Sequence, residues 1–167
     1  MQRPQLVAID TNILLALGEA DEDTEDALQL ILRRAAPVQI LLCPTVLQET
    51  SYLAANGITE SQRRMARSGL AKAPAWKLHP STLNAAQHAI ATNAARKLME
   101  HHLLPAAELN DARILAEAAV LGCLLLVSQD SHLLEIDAFR LNLVMHELDL
   151  SVPVISTPRD LIRRFYR

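Results

Sequence analysis

Leu6-Val7-Ala8-Ile9-Asp10-Thr11-Asn12 is the stretch from which the rest of the chain is read. Its apolar run, Leu6 to Ile9, is too short for a helix, and without polar alternation it suits a strand covered on both faces. The run ends on a carboxylate, Asp10. Val38 to Leu42 predicts a second buried strand, and Cys123 to Val127 a third, followed directly by Ser128, Gln129 and Asp130. Shorter strands are expected at Lys77 to His79 and Val152 to Ile155. Helical spacing fills the gaps: Thr24 to Ala36 through Ala27, Leu28, Ile31, Leu32 and Ala35, with Thr24 or a preceding acid as its cap and Pro37 as its stop. Thr45 and Gln48 read as a capping box opening a helix that carries Glu49 and ends near Gly57. Further helices are expected over residues 59–71, over Ser81 to His102, over Leu109 to Leu121 closed by Gly122, and from Pro158 onward. Buried strands alternating with helices predict a three-layer α/β/α sandwich around a mostly parallel sheet of about five strands.

The length of 167 residues suits one domain, 1–167, with a core that needs no disulfide support. Cys43 and Cys123 stand in apolar surroundings without C-x-x-C spacing, which reads as two buried thiols in a reducing compartment. The first ten residues lack a signal-peptide pattern, and the longest apolar run, Ala118 to Val127, is half a membrane span. The expectation is a cytoplasmic protein without a membrane segment. Five aromatic residues are too few for a platform that binds single strands by stacking. The formal net charge of −3 argues against non-specific phosphate binding, but its distribution is uneven. Residues 61–99 carry Arg63, Arg64, Arg67, Lys72, Lys77, Arg96 and Lys97 and no acid, while six acids crowd Glu19 to Asp26. The basic segment reads either as a flank for a nucleic-acid backbone or as a solvated face, and the acidic run as a solvated loop and helix start.

Ligand sites in open parallel sheets form beyond the carboxyl ends of the strands. That rule collects acids far apart in sequence. Asp10 ends the first strand, Glu49 lies in the helix after the second, Asp130 follows the strand that ends at Val127, and Asp111 opens the helix leading into that strand. Two carboxylates 4 Å apart repel by about 4 kcal/mol at an effective dielectric near 20. Such a cluster must take up protons, recruit bases or bind a cation. No Lys or Arg neighbours Asp10, Glu49 or Asp130 in sequence, and Arg113, two residues beyond Asp111, points elsewhere on a helix. An all-oxygen site suits Mg²⁺ or Mn²⁺.

On these residues the chain resembles the PIN-domain nucleases. The pieces that carry the resemblance are Val7 to Asn12, Pro44 to Glu49, Asn110 to Ala118 and Leu126 to Asp130, and together they span nearly the whole chain. The compact length resembles the VapC-type toxins of bacterial toxin–antitoxin pairs. The resemblance implies a metal-dependent endoribonuclease with Asp10, Glu49, Asp111 and Asp130 as its acidic Mg²⁺ or Mn²⁺ pocket. It also implies an RNA substrate, an antitoxin partner and a homodimer. Around the acids, Thr11 and Ser128 are expected to hold a carboxylate or a metal-bound water by hydrogen bonding and Asn12 to fix the turn after the strand, and Arg63, Arg64, Arg67 and Lys72 to contact RNA. Gln129 and the pair Ser131-His132 depart from the acidic or basic residues common after the last acid of the family.

Each acid also has a plainer role open to it. Asp10 and Asp130 can cap the turns that follow them, Asp111 can serve as an N-terminal helix acid, and Glu49 can be a solvated side chain. Glu108, one turn before Asp111, is a further acid that reads as a surface residue, and His132 is a further side chain within reach. The competing functions are a catalytically silent PIN fold that binds RNA or protein, and a phosphatase with Asp10 as nucleophile. The latter lacks a second Asp at position 12, where Asn stands.

Overall fold

The computed structural model describes residues 3–165; the terminal residues 1, 2, 166 and 167 of the expected single domain lie outside the described residues. Its frame is a five-stranded sheet of β1 (Gln5–Ile9), β2 (Val38–Leu42), β3 (Leu78–Pro80), β4 (Leu125–Val127) and β5 (Val154–Ser156). Every neighbouring pair is parallel. Nine helices flank it among the described residues: α1 (Thr11–Gly18), α2 (Glu22–Arg34), α3 (Pro44–Asn56), α4 (Glu60–Lys72), α5 (Ala85–Glu100), α6 (Leu109–Val120), α7 (Ser131–Leu134), α8 (Ala138–His146) and α9 (Pro158–Phe165). The parallel α/β sandwich expected from the strand pattern is the fold that forms. None of these helices is long and apolar enough to cross a membrane.

Strand order decides where a site can lie. The sheet runs β3-β2-β1-β4-β5, so the chain builds outward from β1 on one side and then crosses to build on the other. The order reverses between β1 and β4, and a crevice opens beyond their carboxyl ends. Ile9 is paired with Val127, and the amide of Asp10 donates to the Val127 carbonyl at 3.0 Å. Asp10 and Ser128 therefore leave the sheet side by side.

Several local expectations are corrected. Thr45 and Gln48 do not form a capping box: α3 starts two residues earlier than a Thr45 cap requires, at Pro44, and its cap residue Cys43 makes no side-chain bond. Pro at the first position needs no hydrogen-bond partner, so the helix opens there. The cap of α2 is Asp21, one of the acids expected before Thr24, which accepts from the Thr24 amide at 2.9 Å. α5 begins at Ala85 rather than Ser81, where Asn84 and Gln87 close a reciprocal capping box. β4 is confined to Leu125–Val127, because Gly122, at φ +75°, and the residues after it are spent on the turn out of α6. β5 is shifted to Val154–Ser156.

α1, α7 and α8 were not expected. α1 is nearly all apolar, TNILLALG, so it carries no amphipathic period to betray a helix. It is buried under α4, and two glycines permit the approach: a Cβ on Gly18 falls 2.2 Å from the Met65 carbonyl oxygen, and one on Gly69 falls 2.3 Å from that of Leu14. The core fills the space between sheet and helices with Ile9, Ile13, Leu14, Ile40, Leu115 and Leu126, all fully buried. Cys43 and Cys123 are buried free thiols, as their surroundings suggested. Burial pushes the Cys123 thiol up to about 12.

Candidate active site

Asp10 is the organising side chain of the crevice. It is 2 % exposed. Its Oδ1 accepts from the Thr11 amide at 2.6 Å, while Oδ2 accepts from Ser128 Oγ at 2.6 Å and from Asn12 Nδ2 at 2.8 Å. The Asn12 amide ties the two strand ends together, reaching Ser128 Oγ at 3.3 Å and accepting from the Gln129 amide at 3.1 Å. The Asp130 amide donates to Ser128 Oγ at 3.0 Å, and its carboxylate caps α7 by accepting from the amides of His132 at 2.7 Å and Leu133 at 3.4 Å. Ser128 and Asn12 are thus hydrogen-bonded to Asp10, and the Thr11 amide with them.

Glu49 arrives from α3. Its Oε2 accepts from Thr11 Oγ1 at 2.5 Å and its Oε1 from Asn110 Nδ2 at 3.2 Å. Asp111, in the first turn of α6, is half-buried, and its Oδ2 is buried without a hydrogen-bond partner. Burial is the main force raising the Asp10 carboxyl to about 6; the Ser128 and Thr11 bonds pull it down, and the charges of Glu49 and Asp130 push it up. Asp111 is raised further, to about 8, by burial first and then by Asp10, Asp130 and Glu108. Asp10 therefore feels the charges of Glu49 and Asp130, and Asp111 those of Asp10, Asp130 and Glu108. Glu108, expected at the surface, is half-buried beside Asp111, and His132 Nε2 stands 3.9 Å from its Oε1.

The four acids do not form a ready coordination shell. Among the described residues, no three His, Cys, Asp or Glu side chains are grouped tightly enough to hold one ion as they stand. Glu49 is drawn to Thr11 and Asn110, and Asp130 to the start of α7. A hard cation that keeps its waters needs only one or two carboxylates. Asp111 Oδ2, buried and unpartnered, is an oxygen that lacks a positive partner, and no cationic side chain contributes to the shifts of Asp10 or Asp111. The donor set, all oxygen with excess negative charge, fits a divalent cation.

Two further residues belong to the site's construction and carried no clear signal in sequence. Glu117 is 7 % exposed and accepts from the Thr45 amide at 3.0 Å and from Thr45 Oγ1 at 2.7 Å. A carboxylate from α6 thereby caps the N-terminus of α3, where the helix dipole favours negative charge. This bond sets the position of Glu49 relative to Asp111. An acid amid Ala116, Ala118 and Ala119 is the one hint of burial. Asn110 sits within the Asn110 to Ala118 stretch but only its contact with Glu49 shows its use.

The basic residues expected at an RNA flank are mostly engaged. Arg63 pairs with Glu60 at 2.8 Å and donates to the Gly57 carbonyl, Arg67 donates to the Ala54 carbonyl at 3.0 Å, and Lys72 to that of Leu17 at 2.9 Å. These carbonyls end α3 and α1, where positive charge is favourable. Arg64 is exposed without an ion pair among the described residues.

A crevice lined by carboxylates at the switch point of a parallel sheet defines an α/β protein whose acids gather beyond the carboxyl ends of β1 and β4. The PIN domain family model matches residues 7–138, and the chain belongs to that family of nucleases. Three solved structures share the fold. VapBC2 from Rickettsia felis, bound to a DNA fragment from its promoter, is 16 % identical with a TM-score of 0.64, covering 92 % of this chain and 98 % of that one. VapBC-1 from nontypeable Haemophilus influenzae is 12 % identical at a TM-score of 0.57, covering 93 % and 99 %. FitAcB from Neisseria gonorrhoeae is 17 % identical at a TM-score of 0.53, covering 91 % and 97 %. No curated protein matches the sequence.

Proposed function

We propose that the chain is a metal-dependent endoribonuclease that hydrolyses RNA phosphodiester bonds at the crevice between β1 and β4. The observation that carries the reading is Asp111 Oδ2, a buried oxygen without a partner beside a second buried carboxylate and without a neighbouring cation. Asp10 and Asp111 are the residues to hold Mg²⁺ or Mn²⁺, with Glu49 and Asp130 as the outer members of the acidic set. The bound ion supplies the positive charge that polarises the scissile phosphate and acidifies an attacking water. The protein's share is orientation. Ser128 and Asn12 fix Asp10 Oδ2, Thr11 and Asn110 fix Glu49, and the Glu117–Thr45 bond fixes α3 against α6.

The likeness to VapBC and FitAcB structures supports a place as the nuclease of a toxin–antitoxin pair, acting as a homodimer restrained by an antitoxin protein. The two unbridged buried thiols support a cytoplasmic setting. The test is RNA cleavage by the purified protein in Mg²⁺ and Mn²⁺, with calorimetric metal titration of the parent, Asp10→Asn and Asp111→Asn. Cleavage and metal binding that are both lost in the two variants are the expected result. Undiminished cleavage by Asp10→Asn refutes the proposal, and RNA affinity without metal binding in the parent replaces it with a silent binding module.

A further inference from the structure

From Glu49 a cleft runs along the junction of α3 and α6. Its first hollow, ≈ 360 Å³, is lined by Gln48, Glu49, Tyr52, Asn110 and Arg113. Past Gln48 and Arg113 it continues into a second, ≈ 540 Å³, walled by Ser81, Thr82, His88 and Thr92. Both volumes fall within the range of small-molecule sites, roughly 300 to 1,000 Å³. The shared wall explains the charge of the cleft. α6 presents Asn110, Arg113 and Glu117 three and four residues apart, hence on one face. Asn110 is held by Glu49 and Glu117 by Thr45. Arg113, between them, is exposed and makes no hydrogen bond or ion pair among the described residues. A guanidinium keeps its charge at all working pH values and presents a planar fork of donors that matches a phosphate. At the mouth, Tyr52 is 63 % exposed and offers a stacking face.

We infer that this cleft seats the RNA strand next to the scissile phosphate, with Arg113 gripping a flanking backbone phosphate and the second hollow receiving an unstacked nucleotide. The inference rests on the ribonuclease reading and adds the path of its substrate. Single-stranded RNA suits the geometry, because its bases splay away from the backbone and present their edges to polar walls such as Gln48, Ser81 and Thr92. The cationic grip lies on α6, inside the cleft; on α4, Arg63, Arg67 and Lys72 are committed to helix ends, and Arg64 does not line either hollow.

The experiment is fluorescence anisotropy of a fluorescein-labelled mixed-sequence RNA octamer on the full chain, in EDTA to keep the strand intact, over 50 to 200 mM salt. Arg113→Glu is expected to weaken binding about tenfold and to reduce the salt slope by about one, with Arg113→Lys in between. Arg163→Glu, the same charge change on α9, is expected to stay near the parent. In Mg²⁺, Arg113→Glu is expected to raise KM with kcat close to parental, the mark of lost strand binding. A parent that cleaves and binds RNA while Arg113→Glu matches it, or matches Arg163→Glu, overturns the cleft alone. A parent that neither binds nor cleaves RNA overturns the ribonuclease reading and the cleft with it.

Discussion

Asp111→Asn should stabilise the metal-free protein. The Asp111 carboxyl is raised from 3.8 to about 8, and its Oδ2 accepts no hydrogen bond that the amide would forfeit. Between those values the folded state binds a proton that the unfolded chain has released, so the parent loses stability as pH rises from about 4 to 8. The full shift corresponds to about 6 kcal/mol at 1.36 kcal/mol per unit, but the residue is half-buried, and solvent screening leaves on the order of 1 to 2 kcal/mol. For a chain of this size each kcal/mol moves Tm by about 2 to 4 °C, giving a gain of roughly 2 to 8 °C at pH 8. The gain should shrink to a small fraction by about pH 4 and vanish below it, as the unfolded parent takes up the same proton. Divalent metal should reverse the order at pH 8, because only the parent binds it well; a hundredfold excess over Kd adds about 2.7 kcal/mol. Thermal melts of both proteins at pH 4, 6 and 8, with EDTA and with Mg²⁺ or Mn²⁺, decide the matter. Parallel pH curves, or a variant that melts below the parent at pH 8 in EDTA, refute the electrostatic account of the crevice.

Glu117→Ala removes both acceptors of the Thr45 amide and hydroxyl at the start of α3 and should cost on the order of 1 to 3 kcal/mol in urea unfolding; an unchanged midpoint refutes the cap. Gly69→Ala places a Cβ 2.3 Å from the Leu14 carbonyl oxygen. It should destabilise by at least about 1 to 3 kcal/mol through overpacking of α1 on α4, which a thermal melt reads directly. Ser128→Ala removes the bond that pulls the Asp10 carboxyl down. Its pKa should climb above the parental value of about 6, as followed by carbon-13 NMR titration of the metal-free protein, and a fall would contradict the assigned cause.

The parallel sheet and its acidic edge were readable from sequence for one physical reason. A strand buried on both faces is an unbroken apolar run, and Leu6–Ile9 and Val38–Leu42 each stop at the residues that turn out of the sheet. The supporting positions of Thr11, Asn12 and Ser128 followed from adjacency to those ends. What could not be read depended on contacts across the fold. α1 has no polar face, since α4, α3 and α2 pack around it, so helical periodicity had nothing to report. The Thr45 hydroxyl was free to cap its own helix by sequence rules, yet Glu117, 72 positions away, takes both its donors. The cations of α4 looked available because only the folded chain shows the α1 and α3 carbonyls they answer.

Capping by Asp10 and Asp130 is compatible with the metal-binding role proposed for them. Asp10 caps α1 through Oδ1 while Oδ2 lies at the crevice, and Asp130 caps α7 through its own carboxylate. Amides at helix starts carry partial positive charge and favour a carboxylate there by roughly 0.3 to 1 kcal/mol. Capping bonds therefore offset part of the repulsion that closely placed acids suffer, and they do so without any Lys or Arg that would compete with a cation. Glu49 is held in the same spirit, by the neutral donors of Thr11 and Asn110. Asp111 is the exception: it has no such donor at its buried oxygen, and it is the more strongly raised of the two perturbed acids. The negative charge of the crevice is thus kept in place by dipoles and left unneutralised at one atom, which is where a divalent ion would gain most.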